Sequence, residues 1–258
     1  MEEATGSGPA APSGEPGAAS EADDDVLIVR VGATPERSRG QAPGIAGRDP
    51  GGKRAAIVRA ATDLFLRQGY HATRTEQIAA AAAVSKQTVY NQFGDKQTLF
   101  RDIVLGVTTT AEAFAAELPD MLDAVERPAD LPPALRSLAR RYLAAVMNPQ
   151  VLALRRLVIS EALRLPELAA AYYERAPARV LSALACRLAR LADRGLLSVA
   201  EPTRAAGDFA FLLLGRSLDE ALFHDHGQAP AAHEIADVAD HAVDVFLAAY
   251  EPARRHDA

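Results

Sequence analysis

Aromatic residues are scarce in this sequence. The 258-residue chain has no tryptophan and only 5% aromatic residues, although 49% of its residues are hydrophobic. Alanine, leucine and valine therefore supply most of the apolar side chains. Alanine and leucine lose little entropy in a helix, whereas β-branched and aromatic residues favour sheets. The composition predicts an all-α protein.

Cysteine is almost absent, because Cys186 is the single one in the chain. An intramolecular disulfide is thereby excluded. The neighbours of Cys186 in ALACRLARL are apolar residues or arginines at helical spacing, so we expect a small core residue rather than a redox sensor. One free thiol suits a reducing compartment, and we expect a cytoplasmic protein.

Long apolar runs are also missing. A membrane helix needs about 20 apolar residues, and the longest candidate, FAFLLLG at 209–215, lies between Asp208 and Arg216. The first residues, MEEATGSG, lack the basic and apolar regions of a signal peptide. No P-loop, GxSxG or HExxH pattern is present. We expect a soluble, unexported protein that is not an enzyme and needs no cofactor.

Charge and small residues divide the chain into three parts. Residues 1–52 hold nine acids, four arginines and 10 of the 17 glycines, a composition typical of a disordered tail with one β-prone run, VLIVRV, at 26–31. Residues 53–101 hold eight bases and three acids, whereas residues 102–258 are acidic again. A compact basic segment on an acidic protein indicates a module that binds a polyanion.

Helical periodicity begins at Lys53. Gly69 is predicted to end the first helix in a left-handed cap, and Thr75, Ser85 and Asp95 are predicted to cap the three that follow. Prolines stand near the ends of the later apolar runs, where they are tolerated in a first helical turn. We place further helices at about 131–147, 150–163, 167–175, 178–194, 203–224 and 232–250.

The stretch TEQIAAAAAVSKQTVYNQFGDKQTLF, residues 75–100, carries the functional signal. It predicts two short helices joined by a tight turn near Ala83. Val89 and Phe93 are spaced to be buried, which leaves amides, hydroxyls and a lysine, with no acid, on the outer face of residues 86–92. Such side chains can read base edges in a major groove and hold phosphates.

Residues 53–101 resemble the DNA-binding region of the TetR family of bacterial transcriptional regulators. The first helix, AATDLFLRQGY, follows the family form AAxxLFxxxGY, and the next stretch follows TxxxIAxxAxVSxxTxYxxFxxKxxLF. Ala83 departs from the glycine that the family often has in the turn. The resemblance implies a three-helix DNA-binding unit with a helix-turn-helix at 53–101 and a helical ligand-binding and dimerisation bundle at 102–258.

The resemblance also implies a role for each position, in a dimeric repressor that binds a palindromic operator in double-stranded DNA. Thr75 would cap the second helix against a phosphate, and Lys53 and Arg54 would reach phosphates or a minor groove. The residues implied at or near base edges are Ser85, Lys86, Gln87, Thr88 and Asn91. Those implied to hold phosphates are Tyr90, Gln92 and Lys96.

Beyond residue 101 the sequence resembles the branch that includes efflux-pump repressors, which implies a pocket for a small apolar effector and a dimer interface from the last two helices. The candidate pocket residues are Tyr142, Arg155, Arg156, Tyr172, Tyr173 and Phe211. The candidate interface residues are Phe209, Leu212, Leu213, Leu218, Leu222, Val238, Val245 and Phe246.

A metal-dependent enzyme is the main alternative. Histidines and carboxylates cluster near one helix end, and such side chains can ligate metals; they are Asp219, Glu220, His224, Asp225, His226 and His233. A purely helical scaffold protein is the third hypothesis. It leaves the outer face of residues 86–92 unexplained, so we predict a regulator with no metal site.

Overall fold

The structure is a computed structural model that describes residues 50–224 and 229–252. All regular secondary structure in these ranges is helical, which confirms the predicted fold class. The predicted disordered tail, apart from its last three residues, and the run at 26–31 lie outside the described residues, as do Asp225 and His226. Within the described ranges, no helix has the length and apolar character that a bilayer crossing requires.

Four helices build the N-terminal part: α1 (Pro50–Ala72), α2 (Thr75–Ala81), α3 (Lys86–Phe93) and α4 (Lys96–Leu122). Two predicted caps are confirmed. The Ser85 side chain accepts a hydrogen bond from the Thr88 backbone N–H at 3.1 Å, and Asp95 accepts one from the Thr98 N–H at 2.6 Å. These caps satisfy backbone donors that have no partner inside a helix, so the starts of α3 and α4 are fixed by local sequence.

Two predictions about helix ends were wrong. Thr75 is the first residue of α2 rather than its cap; the cap position belongs to Arg74, whose backbone N–H donates to the Gln77 side chain at 2.8 Å. Gly69 does have a positive φ of 81°, but its ψ of 166° lies outside the left-handed helical region. The chain kinks there and continues for one further helical turn to Ala72.

Six more helices build the C-terminal part within the described residues, and their bounds agree with the predicted ones to within two residues. A 3-10 turn at Pro128–Asp130 precedes them. They are α5 (Leu131–Val146), α6 (Pro149–Glu161), α7 (Pro166–Arg175), α8 (Pro177–Asp193), α9 (Pro202–Phe223) and α10 (Ala232–Tyr250). Prolines occupy the first or second position of α5, α6, α7, α8 and α9, where the missing N–H costs no hydrogen bond.

Two apolar cores hold the helices together. The larger core joins α4, α5, α8, α9 and α10, and includes Leu135, Phe209 and Phe246. The smaller core lies under α1 to α4 and also takes in side chains of α6 and α7, namely Leu154, Leu157, Val158 and Tyr172. The DNA-binding part is therefore packed directly against α6 and α7.

The predicted place of Cys186 was wrong, because the structure leaves this residue exposed on α8. The buried stripe of α8 runs through Val180, Leu184, Leu188 and Leu191. Cys186 lies about half a helical turn from Leu184 and Leu188, so it faces away from the core. The apolar neighbours in the sequence belong to that stripe, and this is why the local pattern misled.

Candidate DNA interface and effector cavity

Helix α3 is the candidate recognition helix. Val89 and Phe93, one turn apart, are buried against the smaller core and fix the face that α3 turns inward. The opposite face carries exposed Lys86, Gln87 and Asn91. This orientation matches the one that the spacing predicts.

The outer face of α3 is ordered by hydrogen bonds between its own side chains. The Gln87 amide donates to the Asn91 side-chain oxygen at 2.8 Å, and the hydroxyls of Ser85 and Thr88 are 2.8 Å apart. Tyr90 is exposed to 39% of its surface, with the Lys86 ammonium 5.6 Å from its ring centre. The amides and hydroxyls that could read bases are thus held in one patch.

An acid from the neighbouring helix lies beside this patch, in contrast to the acid-free face that residues 86–92 predict. Glu76 of α2 forms an ion pair with Lys86 at 2.5 Å. The hydrogen bond between them lowers the pKa of Glu76 and raises the pKa of Lys86, so both groups stay charged near neutral pH. The residues 86–92 are free of acids, but the surface that they form is not.

Arg54 is engaged within the protein. Its guanidinium donates to Asp102 at 2.6 Å and to the Gln92 carbonyl at 3.2 Å, and it lies 4.3 Å from the centre of the Phe93 ring. Arg54 therefore joins α1 to the end of α3 and to α4, and its predicted contact with DNA stays a prediction. Lys53 is half-buried in α1.

Lys96 also has internal partners. Its ammonium donates to the backbone carbonyls of Tyr70 at 2.8 Å and Thr73 at 2.9 Å, and lies 4.3 Å from the centre of the Tyr70 ring. Burial lowers the pKa of Lys96, an effect opposed by the negative charge of Glu161. An ammonium has three N–H donors, so one remains for the predicted phosphate contact.

The turn between α2 and α3 depends on Ala83. This is the non-glycine residue with a positive φ among those described, at 52°. The left-handed conformation explains why relatives often have glycine there, since a Cβ costs about 1–2 kcal/mol in that region. Alanine adopts the same turn here, at a cost in stability.

His71 links the end of α1 to the body of the protein. Its Nε2 atom lies 2.9 Å from Oε2 of Glu161, the last residue of α6. Glu161 is only 6% exposed, and no other partner of Oε2 exists among the described residues. The contact is a close approach of a polar nitrogen and not a hydrogen bond, because Oε2 accepts none among the described residues. A buried acceptor of this kind is uncommon.

A small cavity, partly open to solvent, lies between α4, α5, α6, α7 and α8. Its volume is about 60 Å³, and three of the predicted pocket residues, Tyr142, Arg155 and Tyr172, are in its wall. Phe114 stacks on Tyr142 with ring centres 5.2 Å apart. The Arg155 Nε donates to the Tyr172 hydroxyl over 3.5 Å.

Three residues predicted to line this pocket lie elsewhere. Arg156 points to the other side of α6, where it donates to the carbonyls of Ala221 and His224 and borders a separate cleft of about 550 Å³. Tyr173 is 57% exposed and Phe211 is 80% exposed. Helical periodicity gives the spacing of apolar residues but not which of two apolar faces meets the cavity.

The predicted dimer surface divides into buried and exposed residues. Phe209, Leu213 and Phe246 are in the core of their own subunit, so they were wrongly assigned to an interface. Leu212 and Val245 are 42% and 40% exposed, and both border a shallow surface cleft together with Phe211. Leu218, Leu222 and Val238 are half-buried.

The side chains that suggested a metal site do not assemble in the described part of the chain. No group of three or more histidine, cysteine or carboxylate side chains lies close enough together there to hold a metal ion. Arg216 donates to Glu220 at 2.9 Å, so this carboxylate has an arginine partner.

A capped recognition helix with an outward polar face, set behind a second short helix, defines a helix-turn-helix DNA-binding protein. Comparison with known proteins agrees. Residues 57–103 match the family model described as bacterial regulatory proteins of the tetR family. Residues 133–252 match the C-terminal domain described for AefR-like transcriptional repressors.

The whole described fold recurs in solved structures. A protein of Mesorhizobium loti assigned to the TetR family of transcriptional regulators is 34% identical, with a TM-score of 0.71, and the alignment covers 80% of this chain and all of that one. The flavonoid-responsive regulator FrrA is 30% identical over 78% of this chain and 98% of its own, with a TM-score of 0.59. This chain belongs to the TetR family of transcriptional regulators.

Curated relatives match over a shorter stretch. The transcriptional regulator HbdR of Aromatoleum sp. is 33% identical over 78 residues, which are 30% of this chain and 33% of HbdR. TcmR of Streptomyces glaucescens is 35% identical over 82 residues, which are 32% of this chain and 35% of TcmR. The match thus spans about a third of these relatives. Regulators of this family bind DNA and act as dimers.

Proposed function

We propose that the chain is a dimeric repressor that leaves a palindromic operator when a small, mostly apolar effector enters the cavity between α4, α5, α6, α7 and α8. The outward polar face of α3 is the observation that carries the proposal. One short recognition helix covers only a few base pairs, so useful specificity requires two copies. Two-fold symmetry then requires half-sites about one turn, ~34–36 Å, apart.

A selection of bound sequences from random DNA with the purified full chain tests the operator. We expect an inverted repeat, protected in footprinting over both half-sites. A single asymmetric half-site bound by one subunit would refute the proposal. A metal-dependent enzyme or a purely helical scaffold would give no salt-dependent shift with any selected sequence, since phosphate contacts release counterions.

The contacts of α3 divide into base-reading and phosphate-holding groups. Gln87→Ala should relax preference at one base position, at a cost of about 1–3 kcal/mol if the amide contact is bidentate. Tyr90→Phe should instead weaken binding to all sequences about equally, because a phosphate carries no sequence information. The assignment fails if Tyr90→Phe changes base preference while Gln87→Ala does not.

The exposed apolar face of α9 and α10 is the proposed dimer contact. Phe211, Leu212 and Val245 lie around one surface cleft, with Phe211 among the most exposed large side chains of the described residues. Large apolar side chains grouped at a surface commonly mark an interaction site. In a two-fold dimer this patch would meet its own copy.

Side chains shared by the cavity wall and the smaller core can couple ligand binding to DNA binding. Tyr172 lines the cavity and also belongs to the smaller core under the DNA-binding helices. Val107 of α4 lines the cavity and packs against the same core. A ligand that moves these side chains changes the support of the recognition helix, so it can favour one arrangement of the two α3 helices over another.

Flat aromatic compounds are the first effectors to test, because the cavity has a stacked aromatic pair and one similar structure is described as flavonoid-responsive. A coupling free energy of 1–3 kcal/mol would change operator affinity about 5- to 150-fold, and bound operator must lower the affinity for the ligand by the same factor. For any ligand that releases DNA, calorimetry with and without operator measures the two ligand affinities. Equal ligand affinities in the two titrations would refute allosteric release.

A further inference from the structure

The wall of the cavity carries one charged side chain, Arg155. Its recorded contact is the 3.5 Å hydrogen bond from Nε to the Tyr172 hydroxyl, at the long limit for such a bond. Within residues 50–224 and 229–252 it has no ion pair with a carboxylate. A guanidinium has five N–H donors. Most of those of Arg155 are therefore left for water or for a ligand.

Apart from Thr110 and the two tyrosines, the remaining wall is apolar, and it is partly flat. The Phe114 and Tyr142 rings lie 20° from parallel, with centres 5.2 Å apart. Valine side chains of α4, α5, α6 and α8 complete the surface. Burial raises the pKa of Tyr142 to about 12, although the charge of Arg155 opposes the change. Tyr142 is thus a neutral phenol at pH 7, and the cavity has a net positive charge.

The geometry points to an aromatic carboxylate as the ligand of this cavity. Its ring lies beside the Phe114–Tyr142 pair, and its two oxygens accept hydrogen bonds from the Arg155 guanidinium. Planar carboxylates match the guanidinium fork in a bidentate pair, which is stronger than a neutral hydrogen bond. The inference rests on the proposed effector site and specifies its chemistry.

The volume of the cavity narrows the class of ligand further. The cavity of about 60 Å³ is smaller than the ~150 Å³ that holds a benzene molecule. A ring therefore enters only when part of the wall moves. Arg155 is half-buried and, among the described residues, donates one long hydrogen bond, to Tyr172, so its side chain is the part of the wall that we expect to move. Acids with a single ring require the smallest movement of the wall, so they should bind more tightly than polycyclic acids.

Calorimetry of the purified full chain at pH 7 with cinnamate and with neutral cinnamamide tests the charge requirement. We expect cinnamate to bind at least 10-fold more tightly than the amide. Arg155→Met should bring this ratio close to one, and Arg155→Lys should restore part of it. Arg179→Met, which removes an exposed arginine of α8, is the matched control and should keep the ratio. Cyclohexanecarboxylate should bind more weakly than cinnamate, since it cannot stack.

Three results would overturn the inference: equal binding of acid and amide, a ratio that survives Arg155→Met, or no binding of cinnamate at millimolar concentration. Circular dichroism of Arg155→Met checks that the helices persist. Operator binding, followed separately by fluorescence anisotropy, distinguishes this inference from the proposed repressor function. If cinnamate binds more tightly than cinnamamide but does not release DNA, the ligand class is supported and release of DNA by that class is refuted. If a neutral ligand releases DNA, release by an effector is supported and the carboxylate class is refuted.

Discussion

The turn of the helix-turn-helix gives a stability test with a defined sign. Ala83 has a φ of 52° and its side chain is exposed, so Ala83→Gly removes backbone strain without removing packing. Relief of the left-handed strain is worth about 1–2 kcal/mol. The greater conformational freedom of glycine in the unfolded chain lowers the free energy of unfolding by about 0.4–1 kcal/mol. We expect the free energy of unfolding to rise by about 0.8 kcal/mol, the difference between the midpoints of these two ranges.

Ala80→Gly is the matched control, because Ala80 is exposed within the neighbouring helix α2. Ala80 lies in the last turn of α2 with helical backbone, where glycine costs up to about 1 kcal/mol, so the two substitutions should have opposite signs. Urea unfolding at one protein concentration measures both, and the slope against denaturant should not change. The melting temperature of Ala83→Gly should rise by about 2 °C. A loss of stability in Ala83→Gly equal to that in Ala80→Gly would refute a strained turn.

Three further substitutions test the charges, the buried contact and the dimer face. Glu76→Gln removes an acid beside the candidate recognition face and frees its lysine partner, so operator affinity should rise and its salt dependence steepen; unchanged binding would place this acid away from DNA. His71→Ala removes the polar nitrogen that lies 2.9 Å from the buried Glu161 carboxylate oxygen and should cost about 1–3 kcal/mol in urea unfolding, whereas the exposed His241→Ala should cost less than about 0.5 kcal/mol. Phe211→Ser removes about 1.5–3 kcal/mol of apolar burial from each of two symmetric copies. The dimer dissociation constant in sedimentation should then rise about 100-fold or more. Leu163→Ser, which changes a 98% exposed leucine in the turn between α6 and α7, should leave it unchanged.

Local signals made the helices predictable from sequence. Ser85 and Asp95 are caps whose partners lie three residues away, and prolines mark the helix starts from α5 to α9. These features need no knowledge of tertiary contacts. The bounds of α5 to α10 are therefore predictable to within two residues. The left-handed cap predicted at Gly69 is wrong because its ψ depends on how α1 meets α2.

Long-range contacts were not predictable in the same way. Helix α9 is apolar on several sides, so spacing could not separate buried Phe209 from exposed Phe211 two residues later. The pairing of Glu76 with Lys86, and of Arg54 with Asp102, joins helices whose crossing the sequence does not encode locally. A sequence motif gives the position of a charged residue, but the partner of that residue depends on how the helices pack.

Lys96 shows what this means for a role inferred from resemblance. Its ammonium already holds the carbonyls of Tyr70 and Thr73, and the negative charge of Glu161 acts on it from α6. A phosphate contact by the remaining N–H therefore adds to a structural role and does not replace it. Lys96→Ala must lower both the stability of the α1–α2 junction and the salt dependence of DNA binding. Only stability measured beside the salt slope separates the two losses, because a fall in DNA affinity alone follows from either.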